Sequence, residues 1–140
     1  MSEVQPEKPN RLQAIEVLTA PGEPFELTDG QVWGRDCRIF KNAPATLRDL
    51  FDSTRSDETF LVYQDERYSF EETWQRTSQI AAILINDYGV VKGDRVAISM
   101  RNYPEWTMAF NAITSIGAVA VAMNALWLSH ELQYGLENSG

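Results

Sequence analysis

The stretch Val90-Val-Lys-Gly-Asp-Arg-Val-Ala-Ile-Ser-Met-Arg-Asn-Tyr-Pro-Glu-Trp106 decides the fold. Lys92-Gly-Asp94 is a turn, and residues 95–100 read as a buried strand. Asn102, with Glu105 three residues on, forms the pair that caps a helix. Pro104 is tolerated in the first turn because its missing N–H would have no intrahelical partner there. The helix carries Trp106, Phe110 and Ile113 at i, i+4 and i+7, and Gly117 ends it. Residues 118–123 then show little polar character, as expected of a strand covered on both faces. Strand, helix and strand in this order make a β-α-β unit with a right-handed crossover.

Upstream, Phe60-Leu-Val-Tyr63 and Arg67-Tyr-Ser-Phe70 read as a β-hairpin turning at Gln64-Asp-Glu66. Ser69-Phe-Glu-Glu72 is a capping box, which predicts a helix running to about Tyr88. Its apolar stripe is Phe70, Trp74, Ala81, Leu84 and Tyr88, and Gly89 suits a left-handed terminator. Downstream, Ser129 is expected to cap a third helix over about 130–137, stopped by Asn138-Ser-Gly140. The expected fold class is α/β: a partial doubly wound, mostly parallel sheet with covering helices, preceded by a β-hairpin.

The chain is expected to divide into three segments. Residues 1–10 are polar, carry two prolines and are expected to form a disordered or extended arm. Residues 11–57 are an irregular leader with short helices at 11–18 and 46–52, the latter capped by Thr46. Between them Ala20-Pro-Gly-Glu-Pro-Phe25 breaks structure, and residues 32–40 read as irregular or extended. Residues 58–140 are an incomplete α/β part of a larger domain, because the third helix lacks the strand that should follow it. Leu128, Leu132 and Leu136 are then short of cover. Burying one such leucine contributes about 1.5–3 kcal/mol, so the chain alone is expected to self-associate.

At 140 residues the length fits about one domain, and 44% hydrophobic with 23% charged residues fits a soluble globular chain. Twenty acidic against twelve basic residues give a formal charge of −8, which speaks against nucleic acid as a partner. A single cysteine, Cys37, and a single histidine, His130, exclude an internal disulfide and a Cys- or His-rich metal centre. Sparse cysteine fits a reducing, cytoplasmic setting. The first ten residues lack the apolar core of a signal peptide. The longest apolar stretch, 116–128, is too short to span a bilayer.

In an open α/β sheet, ligands bind beyond the carboxyl ends of the strands, here Arg101-Asn102 and Asn124-Ala125. Asn102 reads as a helix cap and Asn124 as the holder of a tight loop; the alternative is that both line a ligand crevice. No Gly-x-Gly-x-x-Gly or Gly-x-x-x-x-Gly-Lys-Ser/Thr run is present. Lys92-Gly-Asp94 lies at the wrong end of its strand to cradle a phosphate. His130 has no second ligand nearby for a metal and no Gly-x-Ser-x-Gly elbow for a triad. Cys37 has no evident base. Trp74, Trp106 and Trp127 read as core anchors, and Glu71-Glu72 as acids favoured at a helix start. No catalytic residue and no metal ligand is assigned.

Taken together, Tyr68-Ser-Phe-Glu-Glu-Thr73, Gly89-Val-Val-Lys-Gly-Asp-Arg-Val-Ala-Ile98, Arg101-Asn-Tyr-Pro-Glu-Trp106, Gly117-Ala-Val-Ala120 and Leu136-Glu-Asn-Ser-Gly140 occur in an order that resembles the amino-terminal region of acyl-CoA synthetases, within the adenylate-forming ligase superfamily. Arg11-Leu-Gln-Ala14 and Pro21-Gly-Glu-Pro-Phe-Glu26 are similar to the leader of a fatty-acid–CoA ligase subgroup. The resemblance implies a parent enzyme that uses ATP, magnesium and coenzyme A to activate a carboxylic, fatty acid through an acyl-adenylate. It also implies that the phosphate loop, nucleotide contacts and catalytic lysine lie beyond these residues, so the chain alone is expected to be inactive and to bind none of these ligands tightly. Met123, Asn124 and Ala125 match a loop that borders coenzyme A in relatives, which carry glycines in place of Asn124 and Ala125. Two other readings remain: a non-catalytic binding or dimerisation module, and a small Rossmann- or flavodoxin-like nucleotide binder.

Overall fold

A computed structural model describes residues 10–140, so most of the expected amino-terminal arm lies outside the described residues. The chain divides into two compact units, Met1–Pro44 and Ala45–Gly140.

In the first unit, α1 spans Arg11–Leu18, as its sequence predicts. Asn10 caps it: its Oδ1 accepts from the Gln13 N–H at 3.0 Å, while Gln13 Oε1 accepts from the Asn10 N–H at 2.9 Å. Two antiparallel strands follow, β1 (Leu27–Val32) and β2 (Arg35–Phe40), with Leu27 opposite Phe40 and Val32 opposite Arg35. Within residues 32–40, expected to be irregular or extended, Arg35–Phe40 is thus extended. The hairpin's two-residue turn, Trp33-Gly34, has both φ angles positive, 56° and 74°, the twist that joins antiparallel strands without splaying them. Gly34 alone marks that turn in the sequence, because tryptophan is an unusual occupant of a left-handed position. Both strands are largely exposed, which removes the alternation that would have announced them.

In the second unit, α2 (Leu47–Ser53) starts at Thr46, whose hydroxyl accepts from the Asp49 N–H at 3.1 Å. β3 (Thr59–Tyr63) and β4 (Glu66–Ser69) form the expected antiparallel hairpin. Ser69 then opens α3 (Phe70–Asn86), and Gly89 beyond it has φ +67°. β5 (Arg95–Ile98), α4 (Pro104–Ser115) and β6 (Val119–Ala122) form the expected β-α-β unit. The two strands are parallel, with Arg95 paired to Val119 and Ile98 to Ala122. α5 (Ser129–Ser139) follows.

The class is α/β, but no doubly wound, mostly parallel sheet is present among the described residues. There are three separate two-stranded sheets, and only β5–β6 is parallel. One β-α-β unit supplies two parallel strands, and a doubly wound sheet needs several. The core is built on that unit: Ile98, Ile113 and Ala118 are buried, with Leu84, Val96, Trp106 and Phe110 packed around them. Trp106 and Phe110 stack with ring centroids 5.5 Å apart. The predicted stripe of α4 therefore faces inward.

Two helix starts differ from expectation. Tyr103, not Asn102, is the N-cap of α4, and it makes no side-chain cap bond. The residue before a proline is pushed out of the helical region; Tyr103 is extended at φ −96°, ψ 161°, so the cap moves one residue along. Ser129 is the first residue of α5, with Leu128 in the cap position. There Glu131 Oε2 accepts the Leu128 N–H at 2.7 Å. On α3, Phe70, Trp74, Ala81 and Leu84 of the expected stripe are half-buried, and Leu84 packs against the core. Thr73 and Thr77 are the buried residues of this helix, while Tyr88 lies beyond the helix and is exposed.

Candidate functional site at the carboxyl ends of the parallel strands

The in-register pairing of β5 and β6 brings their following loops to one level. The Met123 N–H donates to the Ile98 carbonyl at 3.0 Å and extends the pairing by one step. Residues 99–102 leave one strand there and residues 123–125 leave the other.

Met123, Asn124 and Ala125 occupy different environments. Met123 is 6% exposed. A Cβ placed on Gly135 of α5 would lie 2.5 Å from its Cε and 2.7 Å from Trp127 Cζ3. Met123 is thus a packing residue that seats α5, and its side chain offers no surface to a ligand. Asn124 is exposed, and its Oδ1 accepts the Leu126 N–H at 2.9 Å while its carbonyl accepts the Trp127 N–H at 3.2 Å. Asparagine builds such turns by bonding the backbone two residues on. Its Nδ2 donors have no partner among the described residues. Ala125 is half-buried.

Asn102 lies on the other loop, exposed, with the Tyr103 N–H donating to the Arg101 carbonyl at 2.7 Å. It lines a cavity of about 230 Å³ together with Leu61, Tyr63, Tyr103, Trp106 and Thr107. Tyr63 and Tyr103 meet edge to face, centroids 5.4 Å apart at 89°, a favoured arrangement of aromatic quadrupoles. This cleft joins β3 to the start of α4. Sequence reasoning missed it because no local pattern links residues forty positions apart.

The rim can bind and orient through carboxamide and backbone N–H groups and the positive end of α4. It carries no evident proton-transfer pair. The groups whose ionisation the fold displaces lie elsewhere. Arg55, hydrogen-bonded to Glu71 and Asp52, is raised, and it holds the Glu71 carboxyl below its ordinary value. Lys41 does the same to Glu26. Tyr68 donates to Glu66 Oε2 at 2.9 Å, and that bond, helped by desolvation, pushes its hydroxyl up.

The remaining candidates stand apart from the rim. In Lys92-Gly-Asp94, Asp94 Oδ2 accepts the Val91 N–H at 2.8 Å and Gly93 has φ +94°, a turn at the amino end of β5. Cys37 is exposed on β2 and His130 is exposed on the first turn of α5. Among the described residues no group of three His, Cys, Asp or Glu side chains is placed to hold a metal ion, and no helix is long and apolar enough to cross a membrane.

Residues 50–140 match the family described as AMP-binding enzyme. The long-chain-fatty-acid–CoA ligase of Escherichia coli is 32% identical over 98 residues, covering 68% of this chain and 18% of the relative. Among solved structures, an artificially fused adenylation–PCP di-domain from Klebsiella oxytoca aligns with a TM-score of 0.63 at 28% identity, covering 66% of this chain and 18% of that one. The O-succinylbenzoate coenzyme A synthetase of Bacillus subtilis, solved with AMP, aligns with a TM-score of 0.61 at 29% identity, covering 67% and 24%. The chain thus spans under a fifth of the length of the curated relative.

Proposed function

The chain belongs to the AMP-binding enzyme family, and from that premise we propose that it is part of an ATP-dependent acyl-CoA ligase acting on a fatty or related carboxylic acid. The observation that carries this is the match over residues 50–140, joined to the likeness to a long-chain-fatty-acid–CoA ligase. A carboxylate is a poor electrophile until one oxygen becomes a good leaving group. ATP supplies that by forming an acyl-adenylate with release of pyrophosphate, and the thiol of coenzyme A then displaces AMP. Magnesium shields the phosphate charge in such a step. We place the reaction in the cytoplasm.

In this reading the β5–α4–β6 unit is scaffold and rim. Asn124 fits a border contact with coenzyme A: it is exposed, its Oδ1 is fixed by the Leu126 N–H, and its Nδ2 points no donor at another described residue. Ala125 and the Met123 backbone complete that border, while the Met123 side chain holds the loop against α5.

ATP–pyrophosphate exchange with a series of fatty acids tests the reading. A protein carrying this chain at the full length of its relatives is expected to exchange. The 140-residue chain alone is expected to give no exchange, because its rim lacks acid–base and phosphate-binding machinery. Exchange by the short chain, or none by the long protein with any carboxylate, overturns the proposal.

A further inference from the structure

Gly135 stands in the middle of α5, where its backbone is not left-handed and needs no glycine. Glycine inside a helix is less favourable than alanine, so its presence there calls for a reason. The reason lies across the helix surface. A Cβ at this position would come within 2.5 Å of Met123 Cε and 2.7 Å of Trp127 Cζ3, well inside carbon–carbon contact distance. α5 lies this close to the loop after β6 because residue 135 has no side chain.

The two neighbours would yield differently to a methyl group. Met123 is buried, but its thioether ends an unbranched chain that turns aside at small cost. Trp127 is a rigid, half-buried ring, and its backbone N–H donates to the Asn124 carbonyl at 3.2 Å. Asn124 Oδ1 in turn accepts the Leu126 N–H at 2.9 Å. The loop is pinned at both ends. The Met123 N–H donates to the Ile98 carbonyl at 3.0 Å, and the Leu128 N–H donates to Glu131 Oε2 at 2.7 Å. A push on the Trp127 ring therefore passes to the Asn124 turn between those pins.

We propose that Gly135 is a positioning residue for the coenzyme A border. By letting the Trp127 ring seat on α5, it fixes the turn from which the exposed Asn124 presents its Nδ2 donors. The inference rests on the ligase reading, with Asn124 as the border contact. It adds a residue on a separate element that itself touches no ligand.

The test uses a ligase carrying this chain at the full length of its relatives and reads the two half-reactions apart. ATP–pyrophosphate exchange needs no coenzyme A, whereas thioester formation does. Gly135→Ala is expected to raise the coenzyme A KM about fivefold, the contribution of one hydrogen bond. Exchange is expected to stay within about twofold of the unsubstituted ligase, a split that general loss of structure would not produce. Asn124→Ala is expected to raise the coenzyme A KM by a similar factor. In the Asn124→Ala background, Gly135→Ala is expected to add less than about twofold, because residues that act through one contact are not additive. Trp127→Phe removes the ring edge that meets Gly135 and adds no volume, so it reads the same contact without crowding the fold; its coenzyme A KM is expected to rise as well. An unchanged coenzyme A KM in Trp127→Phe or in Gly135→Ala, or full additivity with Asn124→Ala, overturns the proposal. No exchange by the unsubstituted ligase would overturn the ligase reading beneath it, and this inference with it.

Discussion

Ser69 closes β4 and opens α3, and its hydroxyl accepts the Glu72 N–H at 3.0 Å while Glu72 Oε2 accepts the Ser69 N–H at 2.8 Å. Two of the four N–H groups that a helix start leaves without intrahelical partners are satisfied by this exchange. Alanine keeps the extended backbone and loses the hydroxyl acceptor. Ser69→Ala is expected to destabilise the chain by about 1 kcal/mol and Ser69→Asp to restore most of that, read as a shift in urea midpoint at constant slope. An alanine variant as stable as the parent would show that hairpin packing, not the cap, starts α3. The same chemistry explains why some residues were readable and others not. Thr46 and Ser69 each stand three residues before an acid, and both caps formed. Asn102 stands three before Glu105 as well, but Pro104 overrode the pair.

Between elements, Arg55 ties the end of α2 to the start of α3. Its guanidinium donates to both Glu71 oxygens, at 2.8 and 3.1 Å, and to Asp52 at 3.0 Å. The Glu71 carboxyl is thereby held below its usual value. A depressed carboxylate contributes stability above its unfolded pKa and loses it as pH falls through the lower folded value. The parent is therefore expected to lose thermal stability between about pH 5 and pH 3, and Glu71→Gln is expected to flatten that fall. The effect is modest because the pair is partly solvated; an unchanged slope in Glu71→Gln would show that other carboxylates set the acid limb. The Arg55 tie was not legible, whereas the β3–β4 hairpin and the β5–α4–β6 unit were, because each is written in one contiguous run from Thr59 to Ser69 and from Arg95 to Ala122. The seam between α3 and α4 was not. Its buried threonines look like surface residues in a helical pattern, and only packing reveals that Thr73 and Thr77 face inward.

For the molecule as a whole, the apolar surface left uncovered bears on its solution state. Leu126 is 75% exposed and Leu136 51%, with Leu128 and Tyr134 similarly open, all in α5 or the loop before it. Large apolar patches on a soluble chain mark interaction surfaces, and α5 itself is seated where Gly135 meets Met123 and Trp127. Of the three leucines expected to lack cover, Leu128 and Leu136 are exposed and Leu132 is half-buried. The proposed coenzyme A border rests on resemblance, since nothing in the spacing of Met123, Asn124 and Ala125 separates a buried methionine from an exposed asparagine. Against association stands the net charge of −8, which repels like copies over roughly 10 Å at 0.1 M salt and less as salt rises. The two terms respond oppositely to ionic strength. Apolar contact persists in salt, whereas charge repulsion is screened. Light-scattering mass is therefore expected to rise with concentration, and to rise more steeply at about 0.5 M salt than at low salt. Leu128→Ser with Leu136→Ser is expected to return the chain to monomer under both conditions. A monomeric mass at every concentration and both salt levels would mean that these side chains are covered within one copy or too dispersed to hold a second.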